Sequence, residues 1–128
     1  MVGTARALRQ LADARIRADA VVGSANDPSE RYEPDVLETP PALVVRTDGA
    51  RGGTFETADG ARGRYDPWPT TSADGDAYGG GDSFMAGLTF ALGRGDPVPD
   101  ALALAARCGA ACVSGRGPYA TQLTAADL

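Results

Sequence analysis

Apolar positions along the chain recur with two different periods. Over residues 5–17, Leu8, Leu11, Ala12 and Ile16 fall on one helical face and arginines on the other, which predicts an amphipathic helix. The run Ala20-Val21-Val22-Gly23 is short and continuously apolar, and predicts a buried strand. A short helix over residues 29–37 is expected next, capped by an Asn-Asp-Pro loop and ended by Thr39-Pro40-Pro41. Ala42-Leu43-Val44-Val45-Arg46 is the clearest strand of the chain. Residues 53–57 and 63–66 flank Asp59-Gly60, a hairpin signal that predicts two antiparallel strands at a sheet edge. Pro67-Trp68-Pro69 stops the second of these. Phe84, Met85, Leu88, Ala91 and Leu92 then mark another amphipathic helix, running up to Gly95. Asp96-Pro97-Val98-Pro99-Asp100 supplies a cap and first-turn prolines for a third, from Ala101 to about Ser114. Gly115-Arg116-Gly117-Pro118 breaks that helix, and Thr124 is placed to cap a final short turn. Helices alternating with apolar strands predict an α/β fold, a central sheet with an edge hairpin flanked by helices.

Composition narrows the chemistry by exclusion. A chain of 128 residues is one domain by length. A net charge of −5 argues against a nucleic-acid or polyanionic membrane partner. No apolar run approaches a membrane span, and the opening residues are amphipathic rather than a signal peptide, so a soluble cytoplasmic protein is expected. There is no histidine, which removes Ser-His and Cys-His catalysis and histidine metal sites. There is no lysine either, so a Walker A loop and a Schiff-base lysine are excluded. Cys108 and Cys112, four apart on one predicted helix, read as small core residues rather than a disulfide or a zinc site.

The stretch that carries chemistry is the entry to the second helix. Gly79, Gly80 and Gly81 run straight into Asp82. A helix N-terminus has unpaired N–H groups and a partial positive charge, and glycine lets the backbone come close to a ligand, so this entry suits an anion. Asp82 there is either a plain N-cap or a base held beside a bound phosphate. A calcium loop starting at Asp74 puts Gly79 at position 6 but Tyr78 at position 5 and Met85 at position 12, where acids are needed, so that reading fails.

The run Asp76-Ala77-Tyr78-Gly79-Gly80-Gly81-Asp82-Ser83-Phe84-Met85-Ala86-Gly87 resembles the C-terminal signature of the ribokinase-like (pfkB) carbohydrate kinases, D-T-x-G-A-G-D-x-F-x-A-G. The resemblance implies a partial Rossmann-like fold. It makes Gly79, Gly80 and Gly81 the anion hole for the transferring phosphoryl group and Asp82 the base that takes the acceptor hydroxyl proton. Ala77 stands where the family has Thr, beside a monovalent-cation site that the family often builds. Thr47-Asp48-Gly49-Ala50-Arg51-Gly52 resembles the family's T-x-G-x-x-G turn, which implies that Thr47, Gly49 and Gly52 lie beside the nucleotide phosphates and ribose. The segment from Ser24 to Glu30 sits where the family carries N-x-x-E. By that resemblance Asp27 and Glu30 approach Mg²⁺ through water, and the alternative is a plain capping loop. The third helix implies an adenine pocket near Ala106 and Gly109, although its many small residues also read as a close-packing face.

The implied function is ATP-dependent phosphorylation of a hydroxyl on a sugar or nucleoside-like small molecule, with ATP and Mg²⁺ as cofactors. Kinases of this family are much longer, and their N-terminal half supplies most of the sugar site and the lid. Residues 1–128 are therefore expected to be the nucleotide-binding and base portion, with the substrate and lid portion absent, and a homo-oligomer or a complementing chain is an expected partner. Two other classes stay open: a non-catalytic nucleotide-binding or interaction module, and a structural domain whose Gly-Gly-Gly-Asp is only a capped turn.

Overall fold

The structure, a computed structural model, describes residues 1–70 and 77–127. They fall into two compact units, Met1–Tyr65 and Asp66–Leu128. Asp74 and Asp76, the first acids of the calcium-loop and kinase-signature readings, lie outside the described residues.

The first unit is a five-stranded mixed sheet in the order β1-β2-β3-β4-β5. Its strands are β1 Val2–Thr4, β2 Ala20–Ser24, β3 Leu43–Thr47, β4 Gly53–Thr57 and β5 Arg62–Tyr65. β1, β2 and β3 pair in parallel, and β3, β4 and β5 antiparallel. Ala20, Val21, Val22 and Gly23 of β2 are all buried, as expected of a central strand covered on both faces. Toward the edge the pattern in β4 alternates, because one face there meets water. The edge hairpin is the one the Asp59-Gly60 signal predicts. Gly60 turns it with φ 86°, a conformation costly for any residue with a Cβ.

Two helices of this unit are shorter than their periodicity suggests. Residues 5–17 become a 3₁₀ turn, Ala5–Ala7, followed by α1, Leu8–Asp13. Arg15 then takes φ 53° and ends the helical path. The helix expected over residues 29–37 is only a 3₁₀ turn, Pro28–Glu30. Pro34 lacks the N–H a helix needs and disfavours helical backbone at the residue before it, and Asp35 sits at φ 70°. Leu37 nevertheless joins Ala5, Leu8, Ala18 and Val21 in one buried cluster, with Tyr32 and Val36 packed against it. β1 has no counterpart in the sequence reading.

The second unit is a helical hairpin, α2 Gly80–Arg94 and α3 Val98–Val113. Gly95, at φ 88°, ends α2 as a left-handed C-cap. Pro97 is the N-cap residue of α3 and Pro99 lies in its first turn, where a missing N–H costs no helical bond, so α3 begins earlier than Ala101. Leu88 and Leu102 are completely buried. A last 3₁₀ turn, Ala125–Asp127, is tied to Thr124, whose amide and hydroxyl both donate to Asp127 Oδ2, at 2.7 and 2.8 Å. Among the described residues no helix is long and apolar enough to cross a membrane.

Candidate phosphoryl-transfer site

In the second unit, α2 begins at a left-handed glycine. Gly79 has φ 83° and ψ −5° and makes no side-chain cap, so the chain enters the helix by a backbone turn that glycine alone adopts without strain. The Gly80 amide donates to Ala77 O at 3.4 Å and the Ser83 amide to Gly79 O at 2.9 Å. Between them the amides of Gly81 and Asp82 have no acceptor among the described residues, and they point out of the helix end with its partial positive charge.

The three glycines have different reasons to lack side chains. A Cβ on Gly79 would lie 2.8 Å from Pro118 Cβ, and one on Gly80 would lie 2.6 Å from Val113 Cγ1, so both are required by packing against the end of α3 and the segment after it. A Cβ on Gly81 would meet nothing within 4 Å. The open side of the turn is therefore at Gly81.

Asp82 is exposed in the first turn of α2 and has no hydrogen bond or ion pair among the described residues. It also lies at the rim of a cavity of about 410 Å³ within this unit. Ser83, Phe90, Cys108, Gln122 and Leu123 help to line that cavity. Gln122 Nε2 donates to Ser83 Oγ at 3.4 Å, and burial pushes the Cys108 thiol pKa up, so this thiol stays protonated. Of the two positions named for adenine, Gly109 belongs to the helix crossing: a Cβ there would lie 3.1 Å from Gly80 O and 3.5 Å from Phe84 Cβ. Ala106 is buried on α3. The structure thus brings Gly109 against the glycine turn through the backbone of Gly80.

The first unit holds the other predicted residues. Thr47 ends β3, and its hydroxyl donates to Gly23 O at 3.4 Å. Gly49 and Gly52 have φ 55° and 76° and bracket a 3₁₀ turn, closed by the Asp48 amide donating to Gly52 O at 2.7 Å. Asp48 is the hub of this turn. Arg51 donates to its two oxygens at 2.8 and 2.7 Å, and Asn26 Nδ2 donates to Oδ1 at 3.0 Å. Those bonds, Arg51 first, hold the Asp48 carboxyl down to about 2. The Ala25 amide also donates to Thr47 O at 2.8 Å, so the loops after β2 and β3 are joined twice, at the C-terminal ends of parallel strands where α/β sheets place ligands.

Asp27 and Glu30 are engaged by protein groups. Arg6 reaches Asp27 Oδ2 at 2.9 Å and Glu30 Oε1 at 2.7 Å. Glu30 Oε2 accepts from the Ser24 amide at 2.9 Å. Asp27 Oδ1 accepts from the Ser29 amide and hydroxyl, at 2.8 and 2.7 Å, capping the 3₁₀ turn; these bonds, with Arg6 adding to them, lower its pKa. Among the described residues no group of three or more His, Cys, Asp or Glu side chains could hold a metal ion. The pair bridged by Arg6 therefore does not fit as direct ligands of Mg²⁺. Beside Ala77, the carbonyls of Tyr78 and Pro118 lie 3.6 and 3.5 Å from the Cys112 sulfur.

Sequence reasoning missed Arg6, Asp48 and the carbonyl partners of Cys112. The i,i+3 spacing of Asp48 and Arg51 was a visible signal for one pair. Nothing in the spacing of Arg6 and Glu30 announces the other.

Comparison with known proteins places the chain in a family. The family model described as pfkB family carbohydrate kinase matches residues 14–125. No curated protein matches the chain. Among solved structures, the Burkholderia thailandensis nucleoside kinase in complex with ADP-inosine is similar with a TM-score of 0.73 at 21% identity, over 97% of this chain and 39% of that one. The Salmonella enterica aminoimidazole riboside kinase, complexed with aminoimidazole riboside and an ATP analog, is similar with a TM-score of 0.68 at 23% identity, over 90% of this chain and 42% of that one. An E. coli protein crystallised with ATP and Mg²⁺ under the name Ribokinase II has a TM-score of 0.69 at 23% identity, over 88% of this chain and 38% of that one. These likenesses establish the ribokinase fold, and the chain spans about two fifths of the length of each of these structures. Matched by the family model over most of its length and carrying the glycine turn and aspartate at the entry of α2, the chain belongs to the pfkB family of carbohydrate kinases.

Proposed function

We propose that this chain carries the nucleotide side and the base of a kinase that moves the γ-phosphoryl group of ATP to a hydroxyl of a sugar or nucleoside-like molecule. The observation that carries the reading is the start of α2: a left-handed Gly79, outward amides at Gly81 and Asp82, open space over Gly81, and an exposed Asp82 carboxylate with no partner among the described residues. The amides and the helix end stabilise negative charge on the transferring phosphoryl group. Asp82 accepts the acceptor's hydroxyl proton while that oxygen bonds to phosphorus and the β–γ bridging bond breaks, releasing ADP. Positioning and charge supply most of the catalysis in such a transfer, so one carboxylate is enough at the reacting end.

Thr47, Gly49 and Gly52 are assigned to the nucleotide, and Ala106 and Gly109 to the wall near the base. Mg²⁺ is expected as the counter-ion of ATP, with Asp27 and Glu30 limited to water-mediated contact by Arg6. The structural neighbours described as a nucleoside kinase with ADP-inosine and an aminoimidazole riboside kinase favour a ribosyl acceptor. A cytoplasmic setting, where ATP is abundant, belongs to the same proposal.

Calorimetric titration of Mg-ATP into the purified chain tests the reading. Wild type and Asp82→Asn are expected to bind comparably, and Gly81→Val to lose binding by filling the open side of the turn. A folded wild-type chain that shows no heat with ATP would sink it. A second reading rests on the chain's span of about two fifths of its structural neighbours. In that reading residues 1–128 bind nucleotide but transfer nothing by themselves. ATP binding without ADP release over a panel of ribosides and sugars is its expected signature.

A further inference from the structure

Cys112 lies in the last turn of α3 and is 1% exposed. Its sulfur is 3.6 Å from Tyr78 O and 3.5 Å from Pro118 O. One carbonyl belongs to the residue before the left-handed Gly79, and the other to the segment that leaves α3. The same sulfur is 3.4 Å from where a Gly79 Cβ would stand, and Pro118 closes the other side of that position. Two backbone segments are thus clasped around one thiol.

Resting on the reading of the glycine turn as the phosphate site, we propose that Cys112 is a positioning residue for that turn. The S–H group is a donor that the two carbonyls share, so one side chain ties both segments. The Tyr78 carbonyl belongs to the peptide that also carries the Gly79 amide. Holding it sets the plane from which Gly79 enters φ 83° and from which the amides of Gly81 and Asp82 face outward. A methyl group at position 112 fills part of the space but donates nothing. A hydroxyl keeps the donor. Cys108, four residues earlier, lines the cavity without such partners among the described residues, which separates the two thiols.

The test uses the full chain with Cys108→Ser, so that Cys112 is its only thiol, and adds Cys112→Ala or Cys112→Ser. The Raman S–H band of the single-thiol protein is expected at the lowered frequency of a hydrogen-bonded thiol. Cys112→Ala is expected to speed amide exchange at Gly80 and Ser83, the hydrogen-bonded amides of the turn, by about fivefold, the scale of one hydrogen bond, while the α2 amides of residues 88–94 keep their rates. Cys112→Ser is expected to restore the slow rates. ATP affinity should follow the same pattern, about fivefold weaker with Ala and near wild type with Ser.

A thiol band at the unbonded frequency overturns the proposal, and decides the matter even if the alanine variant does not fold. So does acceleration spread evenly over both helices, a serine variant no better than alanine, or exchange that changes while ATP affinity does not. If the single-thiol protein binds no ATP at all, the nucleotide reading fails, while the band and the exchange rates still decide whether Cys112 holds the turn.

Discussion

A methyl group on Gly87 would stand 2.8 Å from the sulfur of Cys108 and 3.1 Å from the α-carbon of Ala105. The two helices of the second unit meet at this bare α-carbon. Gly87→Ala gains helix propensity but must push α3 away, and we expect a net loss of about 1–3 kcal/mol, the usual cost of overpacking. Gly93, on the same helix, has nothing within 4 Å of its missing Cβ. Gly93→Ala is expected to stabilise by about 0.5–1 kcal/mol. Urea unfolding of the two variants should give opposite signs, and equal signs would show that the crossing is not tightly packed at Gly87.

Asp82→Asn separates binding from chemistry. The amide keeps the size of the carboxylate and removes its capacity to take a proton. ATP affinity is expected within about twofold of wild type, and ADP release with a competent acceptor is expected to fall by roughly 10²–10⁴, the usual share of a general base. Affinity lost in parallel with turnover would assign Asp82 to holding the turn instead.

Asp48 predicts a pH dependence with a definite sign. Its carboxyl sits at about 2 against an ordinary 3.8, because Arg51 and Asn26 bond the charged form. A depressed folded value means that the stabilisation is fully present above about 3.8 and is lost as pH falls through about 2. The tie between the loops after β2 and β3 should therefore hold at pH 5 and loosen only in strong acid. Carboxyl NMR should give a midpoint near 2 for Asp48, moving up toward 3.8 in Arg51→Gln. An unmoved midpoint in that variant would remove Arg51 as the cause.

Arg6 keeps Asp27 and Glu30 neutralised from within the chain. Arg6→Gln frees two neighbouring carboxylate oxygens, so added Mn²⁺ is expected to broaden the amide signals of Ser24 and Ser29 in this variant far more than in wild type. Equal broadening in both proteins would mean that the acids recruit the metal despite the arginine.

The Gly-Gly-Gly-Asp entry, α2, the central strands and the edge hairpin were legible because each rests on local chemistry: helical spacing, a β-branched run, an Asp-Gly turn. The elements that misread are those where two local signals compete. Asp27 does cap Ser29, as its position promised, yet Pro34 stops the helix that the cap announces. β1 carries only Val2, Gly3 and Thr4, too few residues to show a period. At the candidate site, Arg6 and Glu30 are joined by folding alone, and a cysteine in an apolar pattern gives no sign of which carbonyls it will face.

Gly95 and Pro97 leave almost no chain between α2 and α3, so the hairpin closes over a very short loop, whereas β2 and β3 must wait for the long connection from Ala25 to Ala42. Loop closure of that kind slows non-local pairing relative to local pairing. The order of assembly follows: the glycine turn, riding on the hairpin, should be complete before β2 meets β3. In pulse-labelled refolding the amide of Ser83 would gain protection ahead of that of Val22, whose partners on β1 and β3 are both distant in the chain, giving the refolding chain a shaped helix entry while β2 is still unpaired.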